Sequence, residues 1–140
     1  MLRVFSALSA AAMAAGVGGL YFYGALFASR PALRVLQAAM LALMIAASLW
    51  SRQSRAAGKT SSLVTSGPYA YLRHPLYAAL IHFIWAGAVD HFSWPVLGWA
   101  ETVTAGAFTR MHVEEYRLKR LHPEYRDYKK RVKKLIPFVY

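Results

Sequence analysis

The chain has 140 residues, 57% of them hydrophobic, yet it carries 17 Lys and Arg against 6 Asp and Glu, for a formal net charge of +11. A soluble domain of this size would struggle to bury that apolar surface and solvate that charge together, so the composition predicts segregation: apolar spans in lipid, charge gathered at one face. The absence of cysteine excludes disulfides, thiolate zinc sites and cysteine nucleophiles, and basic residues that flank apolar spans point to anionic headgroups rather than to nucleic acid.

A membrane helix needs about 20 mostly apolar residues. Four spans emerge on that criterion, from about Val4 to Phe27, Leu33 to Trp50, Leu76 to Val89 and Trp94 to Met111; the third is short and the fourth only weakly apolar. The opening Met1-Leu2-Arg3, with small residues at Ala10, Ala12 and Ala15, resembles a secretory signal, but apolar character continues through Tyr21-Phe22-Tyr23 to Phe27 and predicts a retained helix. Ala11, Ala15 and Gly19 recur every four residues, as do Ala12, Gly16 and Gly24 with one gap, so a close helix contact is expected along that stripe, and a homo-oligomer is a possible use of it. Gly16-Val17-Gly18-Gly19 is no dinucleotide loop, because no strand precedes it.

Ala28-Ser29-Arg30-Pro31 is so short a connection that the first two spans should form an antiparallel hairpin, and Asp90-His91-Phe92-Ser93 makes the same kind of turn between the third and fourth. With the amino terminus cytoplasmic and four crossings, fifteen basic residues lie inside, and Arg30 and Arg34 lie outside. That topology puts both termini in the cytoplasm and brings the 52–75 stretch and the tail to one face. The tail reads as a basic amphipathic helix broken near His122-Pro123. Leu118, Leu121, Tyr125, Tyr128, Val132 and Leu135 form its apolar stripe opposite Lys119, Arg126, Lys129, Lys130 and Lys133. The expected fold is therefore a single all-α integral membrane domain over 1–140, with about four transmembrane helices and this tail.

Polar chemistry concentrates in Gly67-Pro68-Tyr69-Ala70-Tyr71-Leu72-Arg73-His74-Pro75-Leu76-Tyr77, at the entrance to the third span. Gly67-Pro68 reads as a turn into that span, and Tyr69 and Tyr71 read as interfacial belt residues. One helical pair later come Glu114-Glu115, Leu118, Pro123-Glu124-Tyr125, Tyr128, Arg131-Val132 and Ile136-Pro137. Together these two motifs, from Thr65 to Pro137, closely resemble the integral-membrane methyltransferases related to isoprenylcysteine carboxyl methyltransferase and the phospholipid N-methyltransferases.

That resemblance implies a helical membrane enzyme holding S-adenosylmethionine without a Rossmann fold, between the Arg-His-Pro segment and the helix with the paired glutamates. It carries over His74, Tyr77, Glu114, Glu115, Tyr125 and Tyr128 as cofactor-binding candidates, and Glu114, Glu115 and Arg73 as candidates for catalysis. These residue types suit the ligand: carboxylates for ribose hydroxyls or an ammonium, Arg or His for a carboxylate, tyrosine faces for a sulfonium or adenine. Each also has a structural reading: a helix cap for His74, a lipid-phosphate anchor for Arg73, and amino-terminal charges on a tail helix for Glu114 and Glu115. The chain departs from the family pattern at Ala79, where glycine is usual, and at His122, where an aromatic is common; the latter sets a titratable group near the tail turn.

Glu101, inside the fourth span, is costly there unless protonated, paired or facing a wet cavity; it is a candidate for the acceptor pocket, or else hydrated on a tilted helix. His82 reads as a hydrogen-bonded helix residue, and the five histidines lack ligand spacing, so no metal site is expected. The activity implied is methylation of a lipophilic or membrane-partitioned acceptor, most like isoprenylcysteine carboxyl O-methylation, with a phospholipid, amine or thiol acceptor as the alternative. Glu114, Glu115, Glu101 and His122 are all possible bases. A rival of another class is a non-catalytic scaffold whose tail binds membrane lipid.

Overall fold

The computed structural model describes residues 1–56 and 63–135; Lys59 and the Ile136-Pro137 end of the second motif lie outside the described residues. Regular structure among those residues is entirely helical: α1 (Leu2–Phe22), α2 (Pro31–Ala56), a 3-10 turn (Gly67–Ala70), α3 (Pro75–Asp90), α4 (Trp94–Leu121) and α5 (Tyr125–Arg131). Proline sets most of the starts. Pro31 and Pro75 open α2 and α3, and Pro95 follows at the second position of α4, where the missing N–H costs no helical hydrogen bond. Pro123 enforces the opposite outcome, and the expected break falls between α4 and α5.

Two helices, Leu2–Phe22 and the Pro31–Ser54 part of α2, are long and apolar enough to cross a membrane. Only 17% of the apolar window of α1 and 11% of that of α2 is buried inside the chain, so neither is the core helix of a soluble domain. Val4, Phe5, Leu8, Val35, Leu41, Ile45 and Leu49 instead face outward, as lipid-facing residues do. The other two helices run between the same ends. The apolar α3 has 16 residues, about 24 Å of helix, short of a full hydrocarbon core. The 28-residue α4 continues without a break past Met111 to Leu121.

The first connection corrects the sequence expectation. Helix α1 stops at Phe22 rather than Phe27, Gly24 takes a positive φ of 65°, and residues 23–30 are irregular. The helices on either side of it do not pack as a hairpin: α1 lies along α4, and α2 lies along α3. Irregular backbone at this depth needs internal partners, and buried Gln37 supplies them. Its Oε1 accepts from Ala28 N (2.9 Å), and its Nε2 donates to Leu26 O (2.9 Å) and Phe83 O (3.0 Å).

Helices α1 and α4 are antiparallel, with Arg110 donating to Ser6 O at 3.0 Å. A methyl group on Gly16 would collide with Val103 and the Trp99 carbonyl, one on Gly19 with the Trp99 indole, and one on Gly106 with Met13 and the Ser9 carbonyl. The expected close contact therefore exists, within one chain. It follows the line of Ser9, Met13, Gly16 and Gly19, whereas Ala11 and Ala15 are exposed. Leu20, Ile84, Val96 and Val103 centre the apolar core, and Trp85 Nε1 donates to Thr104 Oγ1 (3.0 Å) across α3 and α4.

The two connections meet at one end of the bundle. There the Asp90 carboxylate accepts from Ser29 N and from Arg30 N (3.1 Å) and pairs with Arg30 Nε (3.0 Å). The tail folds back at the other end: Arg73 N donates to Lys133 O (2.8 Å) and His74 N to Lys134 O (3.2 Å), a parallel bridge centred on Leu72 and Lys133.

Candidate active site

Three chain segments build one polar cluster at the tail end. Gly67, at φ 61°, lies against the Trp50 indole and starts the 3-10 turn that delivers the chain to Arg73. Pro75 then starts α3, which fixes His74 as the residue before its first turn and Tyr77 on that turn. Because α4 is unbroken here, Glu114 and Glu115 sit in its interior one turn beyond the apolar part, and the reading of them as caps on a tail helix falls.

Neighbouring residues on a helix point about 100° apart, and the two glutamates accordingly reach different partners. Glu114 Oε1 accepts from the Tyr77 hydroxyl at 2.7 Å, and its Oε2 lies 3.8 Å from His74 Nδ1. Glu115 Oε1 accepts from Arg73 Nη1 at 2.6 Å and lies 3.3 Å from His74 Nε2. The imidazole thus bridges the two carboxylates. Lys129 Nζ, from α5, stands 3.8 Å from Glu115 Oε2, and buried Lys134 places its ammonium over the Phe108 ring at 5.7 Å.

The electrostatics separate the pair. Burial opposes ionisation of Glu115, but the His74 hydrogen bond and the Arg73 and Lys134 charges outweigh it and hold the carboxyl at about 2. Burial pushes the Lys134 ammonium below its ordinary range and the Tyr125 and Tyr128 hydroxyls above theirs. Glu115 is a fixed counter-charge, with a side chain 8% exposed, whereas the Glu114 side chain is 41% exposed and open to a ligand.

Two buried polar atoms have no hydrogen-bond partner among the described residues: Arg73 Nε and the Tyr125 hydroxyl. Tyr125 is 1% exposed and interacts with Arg73 and Glu115. Leaving such groups unpaired costs on the order of 1–3 kcal/mol each. Unpaired donors beside a half-open carboxylate and a tyrosine fit a ligand with both an acceptor and a cationic or hydroxyl donor end, the chemistry of S-adenosylmethionine.

Of the residues expected at the site, Arg73, His74, Tyr77, Glu114, Glu115 and Tyr125 converge. Tyr128 is buried nearby with its hydroxyl donating to Tyr69 O at 2.6 Å, which ties α5 to the 3-10 turn. Glu101 is not brought to the cluster: it is exposed on α4, about 20 Å along the helix from Glu114. His122 pairs with Glu124 (3.2 Å), and His82 bonds its own helix at Ala78 O (2.7 Å). No metal-binding group of His and acidic residues occurs among the described residues. Lys129 and Lys134 were not foreseen as neighbours of Glu115. Nothing in the local sequence marks them, since Lys129 looks like any solvated residue of the basic face.

Two long apolar helices with outward-facing apolar side chains, and a cluster of buried ion pairs beyond one end, fit a membrane-associated helical protein. The family model described as the isoprenylcysteine carboxyl methyltransferase (ICMT) family matches residues 32–120, from α2 through the paired glutamates, and the chain belongs to that family. The mouse and rat proteins named protein-S-isoprenylcysteine O-methyltransferase are each 39% identical to it over 84 residues, and the human one is 38% identical. Each alignment covers 57% of this chain and 29% of the relative, so the chain spans under a third of their length. No solved structure matches it.

Proposed function

We propose that the chain is an S-adenosylmethionine-dependent methyltransferase for a membrane-partitioned acceptor, of the isoprenylcysteine carboxylate type. The observation that carries this reading is the convergence of Arg73, His74 and Tyr77 with Glu114 and Glu115 from the other motif. In it, Arg73 Nε and the Tyr125 hydroxyl hold the methionyl carboxylate, Glu114 takes the ammonium or a ribose hydroxyl, and Tyr77 is held by Glu114 toward the ligand. Glu115 is a positioning residue that fixes Arg73 and His74. Bound S-adenosylmethionine supplies a methyl group activated on sulfonium. The protein supplies alignment, which gives much of the acceleration in an in-line displacement. A carboxylate acceptor attacks without losing a proton, so no base is required.

The proposed orientation places the cluster, the start of α1 and the tail on the cytoplasmic side and Arg30 with Asp90 on the other, in keeping with the positive-inside bias. The test is calorimetric titration in nanodiscs with S-adenosylmethionine and S-adenosylhomocysteine, followed by methyl transfer to a farnesylated cysteine derivative. Saturable binding that Glu114→Gln and His74→Ala abolish in folded protein is expected. Absence of binding in folded wild-type protein, or binding of basic-tail type that falls with salt and ignores the cofactor, would overturn the assignment.

A further inference from the structure

A cavity of about 430 Å³ lies at the end of the bundle away from the cluster, between the irregular 23–30 connection, α2 and α3, with Arg34, Ala38, Leu41, Phe27, Phe83 and His91 among its walls. Its size is that of a ligand site. We propose that it holds one phospholipid, with the phosphate on Arg34 and an acyl chain running inward along α2.

The ordering of its lining points to that ligand. Arg34, Ala38 and Leu41 follow one another at four and three residues on a single helix face, and span about 10 Å along the axis. Helix α2 begins at Pro31, so Arg34 stands in its first turn, at the level of the connections, and Leu41 lies two turns deeper. From the two connections Ser29 and His91 also line it, 3.3 Å apart, and Phe83 lines it from two turns back along α3. A cationic end continuing into an open groove along outward-facing apolar residues of α2 matches an amphiphile oriented as lipids are, and a phosphodiester is the anion present at that depth.

Arg34 is also held ready for an anion. Its Nε donates to Ala28 O at 2.9 Å, which fixes the guanidinium, and no carboxylate pairs with it among the described residues. Arg30, four residues earlier, is matched by Asp90. The first turn of α2 contains no acidic residue, so the helix dipole adds to the Arg34 charge. Gln37, at the base of the cavity, has its amide engaged by Ala28, Leu26 and Phe83, leaving Arg34 to provide the recognition. This assignment is independent of the methyltransferase reading, whose cluster lies at the other end.

The experiment is native mass spectrometry of the detergent-purified chain after delipidation and re-addition of phosphatidylglycerol, with thermal unfolding in parallel. Wild-type protein is expected to retain one phospholipid and to gain Tm saturably with added lipid. Arg34→Gln should weaken binding about tenfold, the effect of one charge-assisted contact, and Arg34→Lys should restore most of it. Should Arg34→Gln fail to fold, Ala38→Phe fills the groove from an exposed position without removing a hydrogen bond, and should abolish retention. Lipid retention unchanged in Ala38→Phe, no lipid beyond the detergent background in wild-type protein, or equal stabilisation by inorganic phosphate alone would each overturn the proposal.

Discussion

Carboxylates meet arginine at both ends of this bundle, yet the two meetings differ in kind. Asp90 is matched to two backbone amides and to Arg30, whose side chain is 70% exposed, with His91 3.7 Å away; these partners all lie in the two connections that meet there. Glu115 is matched to Arg73 and His74, both largely buried and both anchored by their own amides to the tail. Beside it remain two buried polar atoms without hydrogen-bond partners among the described residues. The first arrangement is closed and explains how a loop is held. The second is over-supplied with buried charge and under-supplied with acceptors, which supports the proposal that a ligand completes its hydrogen bonds.

The strongest way to break the comparison is Glu115→Gln. It leaves Arg73 buried without its counter-charge, and breaking a buried pair from one side costs about 3 kcal/mol or more. Chemical denaturation in detergent should show that loss, together with loss of cofactor binding. Acid should reproduce part of it. The Glu115 carboxyl is held at about 2 against an ordinary 4.5, so its contribution is fully present above pH 4.5 and is lost as the pH falls toward 2. Wild-type stability should therefore drop across that window, and Glu115→Gln should flatten the drop; an unchanged acid limb in the variant would show that Glu115 is not the group responsible.

The opposite end is tested by Gln37→Leu. Two backbone groups of the 23–30 connection and the Phe83 carbonyl of α3 lose their partner, for about 2 kcal/mol. Because Gln37 is remote from the cluster, affinity for S-adenosylmethionine in the folded fraction should stay as in wild type. A loss of affinity comparable to that of Glu115→Gln would mean that the two ends are coupled and that the division drawn here is wrong.

The two ends were also unequally legible in the sequence. Arg73, His74, Tyr77, Glu114 and Glu115 stood out because their types and spacing form two motifs, and an unbroken α4 was enough to bring them together. Pro75 and Pro123 gave their boundaries by removing a backbone donor. Gln37 was passed over although a lone amide inside an apolar span is itself a signal that something polar needs a partner there. The pairing of α1 with α4 was hidden because Gly16, Gly19 and Gly106 reveal small size but not which helix approaches. The Leu72–Lys133 bridge carries no side-chain signature, being a backbone pairing between segments 61 residues apart. Glu101, read as a candidate for the acceptor pocket or as hydrated on a tilted helix, lies on the exposed face of α4 away from the cluster.

Tyr125→Phe is the smallest perturbation and the sharpest. Among the described residues the hydroxyl is buried, with Arg73 and Glu115 as neighbours but no hydrogen bond of ordinary geometry, so removing it costs little and relieves a desolvated group. Stability should be unchanged or higher by up to about 1 kcal/mol. If that hydroxyl completes its hydrogen bond on the cofactor carboxylate, affinity for S-adenosylmethionine should fall about five- to tenfold, equivalent to about 1 kcal/mol. A structural tyrosine predicts the reverse pairing, with stability lost and affinity kept. Denaturation and calorimetry on this one variant thus separate a donor waiting for a ligand from a ring that only fills the space beneath Arg73.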